Sequence, residues 1–287
     1  MLAQPNDPSR TIGVLASSLS SVFVKEALAG LEEGIVGSGF ELALFETEGL
    51  NIPEKNRYIE QLALEKKAAA FVYAHLPLSA AQITLFKESH IPMAYLAGRM
   101  DGVDWFMVDE VLGAYLGTKH LLGLGHHRIA LVSGPLVALE SRMREDGFMR
   151  AIKEHGVEFG RQRDIKILNY SEGEGYDAAN LLLNLPDPPT AIFVSAGDLT
   201  ALGVMTAIRD RGLRIPEDVS VVGYDDLHFS ATLDPPLTTI QQPLREMGKR
   251  AVQRLLQALK KPDQRPDGDL FEPKLILRKS TSEAVHA

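Results

Sequence analysis

Ser17, Phe23, His75, Arg144, Tyr170, Asp198 and Asp225 each follow a short apolar run that reads as a strand, Arg144 in the connection after Arg128–Ser133. In open α/β sheets, ligands sit outside the carboxyl ends of the strands, so loop residues at those ends are the first candidates for a site. Their types suit binding rather than bond breaking. Arg offers a rigid fork of donors, Asp two acceptor oxygens, and Phe or Tyr a flat stacking face. That mixture fits a neutral, polyhydroxylated ligand such as a sugar. The most informative stretch is Ile215–Asp226, I-P-E-D-V-S-V-V-G-Y-D-D. There an apolar run, Val219–Val222, leads through Gly223 to the paired carboxylates Asp225 and Asp226.

Each candidate has a plainer reading beside it. Asp225 and Asp198 could be helix N-caps, a place Asp favours. Asp-Leu-Thr-Ala-Leu from Asp198 reads equally well as a helix start. Arg144 could be a surface helix residue and Phe23 ordinary core. His120, His126 and His127 invite a metal reading, but adjacent histidines point apart, and helix-borne metal pairs prefer i, i+4 spacing. A polar turn between helix and strand is the expectation there. Gly123-Leu-Gly125 begins like a dinucleotide fingerprint, yet Arg128 stands where the third Gly belongs and the segment precedes a strand. No G-x-S-x-G elbow, P-loop, H-E-x-x-H or EF-hand loop is present. The expectation is a binding protein, not an enzyme, with no cofactor and no metal.

These residues need strand ends to hold them, and the chain supplies strands and helices in alternation. Apolar runs at Thr11–Ala16, Glu41–Phe45, Ala69–Tyr73 and Pro92–Leu96 are separated by stretches with helical spacing, such as Val24, Ala27, Leu28, Leu31 and Ile35. After a helix at Val111–Leu124 the pattern restarts. Runs at Arg128–Ser133, Ile165–Leu168, Ala191–Ser195 and Val219–Val222 alternate with helices at Arg144–His155, Gly175–Leu185 and Leu199–Arg211. Short strands at Thr238–Ile240 and Leu275–Leu277 flank a helical stripe of Met247, Ala251, Leu255 and Ala258, and Pro262–Gly268 reads as a polar connection. Such alternation builds parallel sheets with helices on both faces. The expected class is α/β, with two doubly wound parallel-sheet subdomains.

Composition narrows the partners. With 30 Lys and Arg against 38 Asp and Glu, the net charge is −8. This chain alone is therefore not expected to grip DNA, which needs clustered cations. The absence of cysteine excludes disulfide frameworks, thiol catalysis and Cys-based zinc sites. No apolar run approaches the ~20 residues that span a bilayer, and Met1–Arg10 has no apolar signal region. No membrane partner is expected. The expected location is cytoplasmic, though a periplasmic protein without its signal would look the same.

Several phrases resemble the effector-binding core of the LacI/GalR (lactose-repressor/galactose-repressor) family of bacterial transcription regulators. They are R-T-I-G-V-L at Arg10–Leu15, G-H-H-R-I-A-L-V-S-G at Gly125–Gly134, R-E-D-G-F at Arg144–Phe148, P-T-A-I-F at Pro189–Phe193, G-L-R-I-P-E-D-V-S-V-V-G-Y-D-D at Gly212–Asp226, P-L-T-T-I-Q-Q at Pro236–Gln242 and L-R-K-S-T at Leu277–Thr281. The resemblance implies a periplasmic-binding-protein-like type I fold whose subdomains are joined by three crossovers. An N-subdomain of residues 10–127 plus 242–265 would serve dimerisation and form one wall of a ligand cleft. A C-subdomain of residues 128–241 plus 266–285 would form the other. It also implies a small-molecule effector, a sugar or sugar derivative, and a homodimer whose hinge closure controls operator binding. Arg144 and Asp225 match the family's effector-gripping Arg and Asp, and Tyr170 a stacking position. Ser17, Phe23 and His75 fall in loops that line the other wall.

There are departures from that pattern. Gly197–Asp198 replaces the family's Asn-Asp pair, and Ala97 stands where some members carry an acid. Only Met1–Ser9 precedes Arg10, and nothing there reads as the family's helix-turn-helix. Operator DNA would thus be reached only through a part missing from this chain, and a sequence trimmed to the core is the expectation. The alternative function is a periplasmic-type sugar-binding protein of a transport system.

Overall fold

The computed structural model describes residues 7–19, 22–74, 76, 78–262 and 265–284. In chain order the elements are β1 (Thr11–Ala16), α1 (Val22–Ile35), β2 (Glu41–Glu46), α2 (Ile52–Leu64), β3 (Ala70–Ala74), α3 (Ala80–Glu88), β4 (Met93–Leu96), β5 (Asp104–Val108), α4 (Glu110–Gly123), β6 (Ile129–Ser133), α5 (Leu139–Glu154), β7 (Asp164–Lys166), α6 (Glu172–Leu183), β8 (Ala191–Val194), α7 (Asp198–Asp210), β9 (Ser220–Asp225), β10 (Thr238–Gln241), α8 (Leu244–Lys260), β11 (Gly268–Phe271) and β12 (Lys274–Ile276). They form two compact units. The first comprises the chain up to Val108 together with Pro243–Phe271, the second Asp109–Gln242 with the chain from Glu272. The chain passes between units three times.

The first unit holds a sheet of order β11-β5-β4-β3-β1-β2, with every pairing parallel. Its central strands are apolar throughout because both faces are covered. Ile12, Val14, Val72, Ala94 and Phe106 meet α1 and α8 through Ala27, Leu31, Met247, Ala251 and Leu255. Leu15, Phe71, Tyr73 and Met93 meet α2 and α3 through Ile59, Leu62 and Phe86. The two-residue strand period assigns each set to its face. Two helix starts are fixed by reciprocal caps, Asn51 with Glu54 and Ser79 with Gln82.

The second unit repeats the plan. Its sheet runs β12-β10-β9-β8-β6-β7, parallel except for β12 against β10. Ala130, Val132, Ile192, Val194 and Val221 pack on α6 and α7 through Ala179, Leu182, Val204 and Ile208. Leu131, Phe193, Val222, Tyr224 and Ile240 pack on α4 and α5 through Ala114, Leu121, Phe148 and Ile152. Neighbouring helices approach closely where glycine permits. A Cβ on Gly203 of α7 would collide with the Glu172 carbonyl of α6, and one on Gly30 of α1 with the Arg245 carbonyl of α8.

The expected class of two doubly wound, mainly parallel subdomains is the one observed, but the boundaries differ. The first unit ends at Val108, not His127, because α4 packs on the second sheet, with Gly113 against Tyr224 and Ile240 and Gly117 against Phe193. The tail does not return to the second unit at Pro266. Gly268–Phe271 first pairs with β5, Leu270 opposite Met107, and only the chain from Glu272 joins the second unit. Neither β5 nor β11 carries the unbroken apolar run by which strands were read: β5 alternates buried and half-buried residues, and β11 is never fully buried.

Candidate functional site

The strand ends of the second unit gather Arg144, Tyr170 and Asp225. Arg144 lies on the buried stripe of α5 with Ser141, Gly147, Phe148 and Ala151, so helical spacing turns it inward near the start of that helix. It is 6% exposed, which removes the surface-helix reading. Its Nε donates to Glu110 Oε2 at 2.7 Å and its Nη1 to the Ser195 carbonyl at 2.7 Å. The guanidinium carbon stands 3.8 Å from the centroid of the Tyr224 ring. Tyr224 Oη in turn donates to Glu110 Oε2 at 2.7 Å. Burial alone would weaken the Arg144 charge, but Glu110, Tyr224 and Asp225 beside it drive its pKa upward. Among the described residues, Nη2 makes no hydrogen bond.

Glu110 reaches this cluster because Asp109, the first residue of the second unit, caps α4. Asp109 Oδ1 accepts from the Leu112 N–H at 2.9 Å, which sets Glu110 as the first helical residue. A carboxylate is favoured there by the helix dipole. Glu110 is 6% exposed and paired, as a buried charge must be.

Asp225 closes β9 with φ +106, and Asp226 follows with φ +56. Non-glycine residues rarely adopt this region, and such strain clusters at functional positions. Asp225 is half-buried. Its Oδ1 accepts from Gln242 Nε2 at 2.6 Å, while Oδ2 has no hydrogen-bond donor among the described residues. Burial pushes its pKa up to about 6, against the pull of Arg144 and the Gln242 bond. Gly197, with φ +110, leaves room beside it. A Cβ there would lie 2.7 Å from Asp225 Oδ2. Asp226 has a scaffolding task instead, accepting from Arg278 Nη2 at 2.6 Å and Gln241 Nε2 at 2.8 Å.

Tyr170 is 41% exposed and its ring edge lies over Gly134. Its hydroxyl meets Ser141 Oγ at 3.1 Å and donates to Glu140 Oε1 at 3.2 Å. Burial pushes that hydroxyl's pKa up to about 12. The hydroxyl is thus a neutral group, one helical turn from Arg144 along α5.

Asp198 must be removed from the candidates. It is fully buried. Oδ2 accepts from the Leu227 N–H at 3.0 Å and Ser230 Oγ at 2.6 Å, and Oδ1 from Thr239 Oγ1 at 2.6 Å. Those donors occupy the carboxylate, which pins the segment after β9 and strand β10 to the start of α7. Burial, then the Asp225 charge, pushes its pKa up to about 7.

In the first unit, Ser17 is half-exposed just past β1. The turn it begins is tied to the end of β2, with Ser18 Oγ donating to Glu48 Oε2 and the Leu19 N–H to Glu46 Oε1, both at 2.6 Å. Phe23 is half-buried and packs against Ala16, Val24 and Ala74. His75 lies outside the described residues. His126 is a buried structural residue. Its Nδ1 meets Thr190 Oγ1 at 2.9 Å and its Nε2 the Ser282 carbonyl at 3.1 Å. Among the described residues, no three His, Cys, Asp or Glu side chains form a metal-binding group.

Two similar α/β units, threaded three times, with an Arg–Asp pair at the strand ends of the second, define an effector-binding core of the periplasmic-binding-protein type. The family model described as a periplasmic binding protein-like domain matches residues 118–281. The chain belongs to the LacI family of transcriptional regulators. It is 34% identical over 282 residues to the HTH-type transcriptional repressor PurR of Vibrio vulnificus (strain CMCP6), covering 94% of this chain and 80% of that protein. The PurR of Glaesserella parasuis serovar 5 (strain SH0165) is 31% identical over 280 residues, covering 95% and 81%. Among solved structures, a LacI family regulator from Enterococcus faecium with bound ribose superposes with TM-score 0.84 at 27% identity, covering 96% of this chain and all of that one. The lac repressor dimer bound to operator and the anti-inducer ONPF gives TM-score 0.83 at 28% identity, covering 96% of each. Among the described residues, no helix is long and apolar enough to cross a membrane.

Proposed function

We propose that the Arg144–Tyr170–Asp225 face holds a small, uncharged, hydroxyl-rich effector, a sugar or sugar derivative, and that its occupancy alters the operator affinity of the intact regulator. One observation carries this reading. The Arg144 charge is already answered by Glu110 at 2.7 Å, with Asp225 adding a second negative charge nearby. An anionic ligand would meet net negative charge there. A hydroxyl can donate to Asp225 Oδ2 and accept from Arg144 Nη2, and Tyr170 presents a half-exposed ring beside them. Similar solved structures, a LacI family regulator with bound ribose and a CelR–cellobiose complex, support this ligand class. On this reading the ligand is bound and released unchanged, in keeping with similar proteins that are transcriptional repressors.

Calorimetric titration of the chain with a panel of neutral sugars and their phosphate esters tests this reading. Neutral sugars are expected to bind more tightly than the esters. Binding of phosphorylated or carboxylated ligands in preference to neutral ones would overturn it. The chain is also proposed to pair as a two-fold homodimer, the commonest soluble assembly. Sedimentation showing only the 31.4 kDa monomer at high micromolar concentration would count against that.

A further inference from the structure

The two side chains proposed to grip the effector are each held by a residue at a passage of the chain between its units. Glu110 is the second residue of the second unit after the passage from Val108 to Asp109, and it holds Arg144 Nε at 2.7 Å. Gln242 is the last residue before the passage to Pro243, and it holds Asp225 Oδ1 at 2.6 Å. Both holders are buried, at 6% and 7% exposure. Neither bond is required by its own secondary structure. Asp109 already caps α4, and Gln242 lies beyond the last paired residue of β10. Charged hydrogen bonds of this length in a dry setting are directional and strong.

We propose that Glu110 and Gln242 are positioning residues that tie the Arg144–Asp225 face to the first two passages between units, so that a change at that face is registered at both. The inference rests on the effector reading above only for what fills the face. The tie itself is a property of this chain's residues. Linkage makes it reciprocal: if the face biases the passages, the conformation of the passages biases the face.

The tie is tested on the full chain without ligand. Carbon-13 carboxyl resonances are followed against pH, with the Asp225 signal identified by its loss in Asp225→Asn. Replacing Gln242 by Leu removes a donor to the ionised form, so the Asp225 midpoint is expected to rise. Replacing Glu110 by Gln removes a negative neighbour, so the midpoint is expected to fall. Loosening of the fold would not shift the two variants in opposite directions. Shifts of one sign, or none, would overturn the tie.

Amide exchange in Asp225→Ala reads the same tie from the other end, and it serves if either holder variant fails to fold. The Leu112 and Gly113 amides bond Asp109, and the Met247 amide bonds the Pro243 carbonyl. All three should exchange about tenfold faster relative to Ile192 and Val194 of β8. Uniform acceleration, or none at the passages, would overturn the tie. Titration with D-ribose and cellobiose separates the two readings. If no neutral sugar binds but the passages respond to Asp225→Ala, the tie stands and the effector class falls. If a sugar binds through Asp225 and the passages stay unmoved, the effector class stands and the tie falls.

Discussion

The guanidinium carbon of Arg144 lies over the ring of Tyr224, 3.8 Å from its centroid, and both side chains donate to the same oxygen of Glu110 at 2.7 Å. A cation, a ring and a carboxylate thereby satisfy one another within the second unit. The arrangement fixes the orientation of Arg144, and under the proposed function that would lower the ordering cost of binding. It also makes the pair fragile, since neither charge has water to fall back on.

Removing one partner of a buried pair is costly because the other is left uncompensated. Glu110→Ala is expected to destabilise the chain by about 3 kcal/mol, and Tyr224→Phe, which deletes one neutral donor, by about 1 kcal/mol. Urea denaturation measures both. A Glu110→Ala cost no larger than that of Tyr224→Phe would show that Arg144 is held by something else.

Asp198 and Asp225, with pKa values pushed up to about 7 and about 6, retain protons in the folded chain that the unfolded chain has released. Their contribution to stability is full below about pH 4 and is lost as pH climbs through 6 to 7. His120 and His126, held below the ordinary imidazole range by burial, act with the opposite sign and lose stability as pH falls. Comparing the parent with Asp198→Asn cancels the histidines. The parent's advantage should shrink between pH 5 and pH 8 by on the order of 2 kcal/mol. An advantage that grows with pH would reverse the assignment.

Binding should depend on Asp225 and Arg144 far more than folding depends on Asp225. With the tightest neutral sugar from the panel, Asp225→Ala and Arg144→Met are each expected to lose roughly 2–5 kcal/mol of affinity. Tyr170→Phe keeps the ring and should lose under about 1 kcal/mol. If both charged variants bind within about threefold of the parent, the face is not the effector contact.

Helix approach gives a prediction independent of any ligand. Gly203→Ala must part α6 from α7 and should cost about 1–3 kcal/mol, despite alanine's better helix propensity. Gly173→Ala, in α6 with open space around it, should be neutral or stabilising. Thermal unfolding of the two variants side by side decides it, and equal midpoints would refute the close-packing account.

Much of the architecture was legible in the sequence because central strands covered on both faces must be apolar from end to end. TIGVLA, AFVYA and IALVS announce themselves that way. DWFMV of β5 and GDLF of β11 do not, because their positions near the sheet edge leave them partly exposed. Missing them displaced the boundaries. At the candidate site, the strand-end rule and the family phrases pointed to Arg144, Tyr170 and Asp225, which lie at the strand ends of the second unit. They also offered Asp198, whose short side chain turns inward to three donors, a distinction that sequence position cannot draw. Glu110 gave only the ordinary signal of an acid in a first helical turn. Gln242 stood in the phrase P-L-T-T-I-Q-Q without a role, since its purpose depends on how β9 and β10 lie together.

The threefold threading also bears on how such a protein can be taken apart. Each unit is assembled from two separated stretches of gene, up to Val108 with Pro243–Phe271, and Asp109–Gln242 with the remainder from Glu272. No single cut releases either one. Half-proteins for separate expression must be spliced, and a lineage could not gain or shed one lobe by trimming an end. The two lobes are inherited together, and a frameshift anywhere before β11 strips an edge from both sheets.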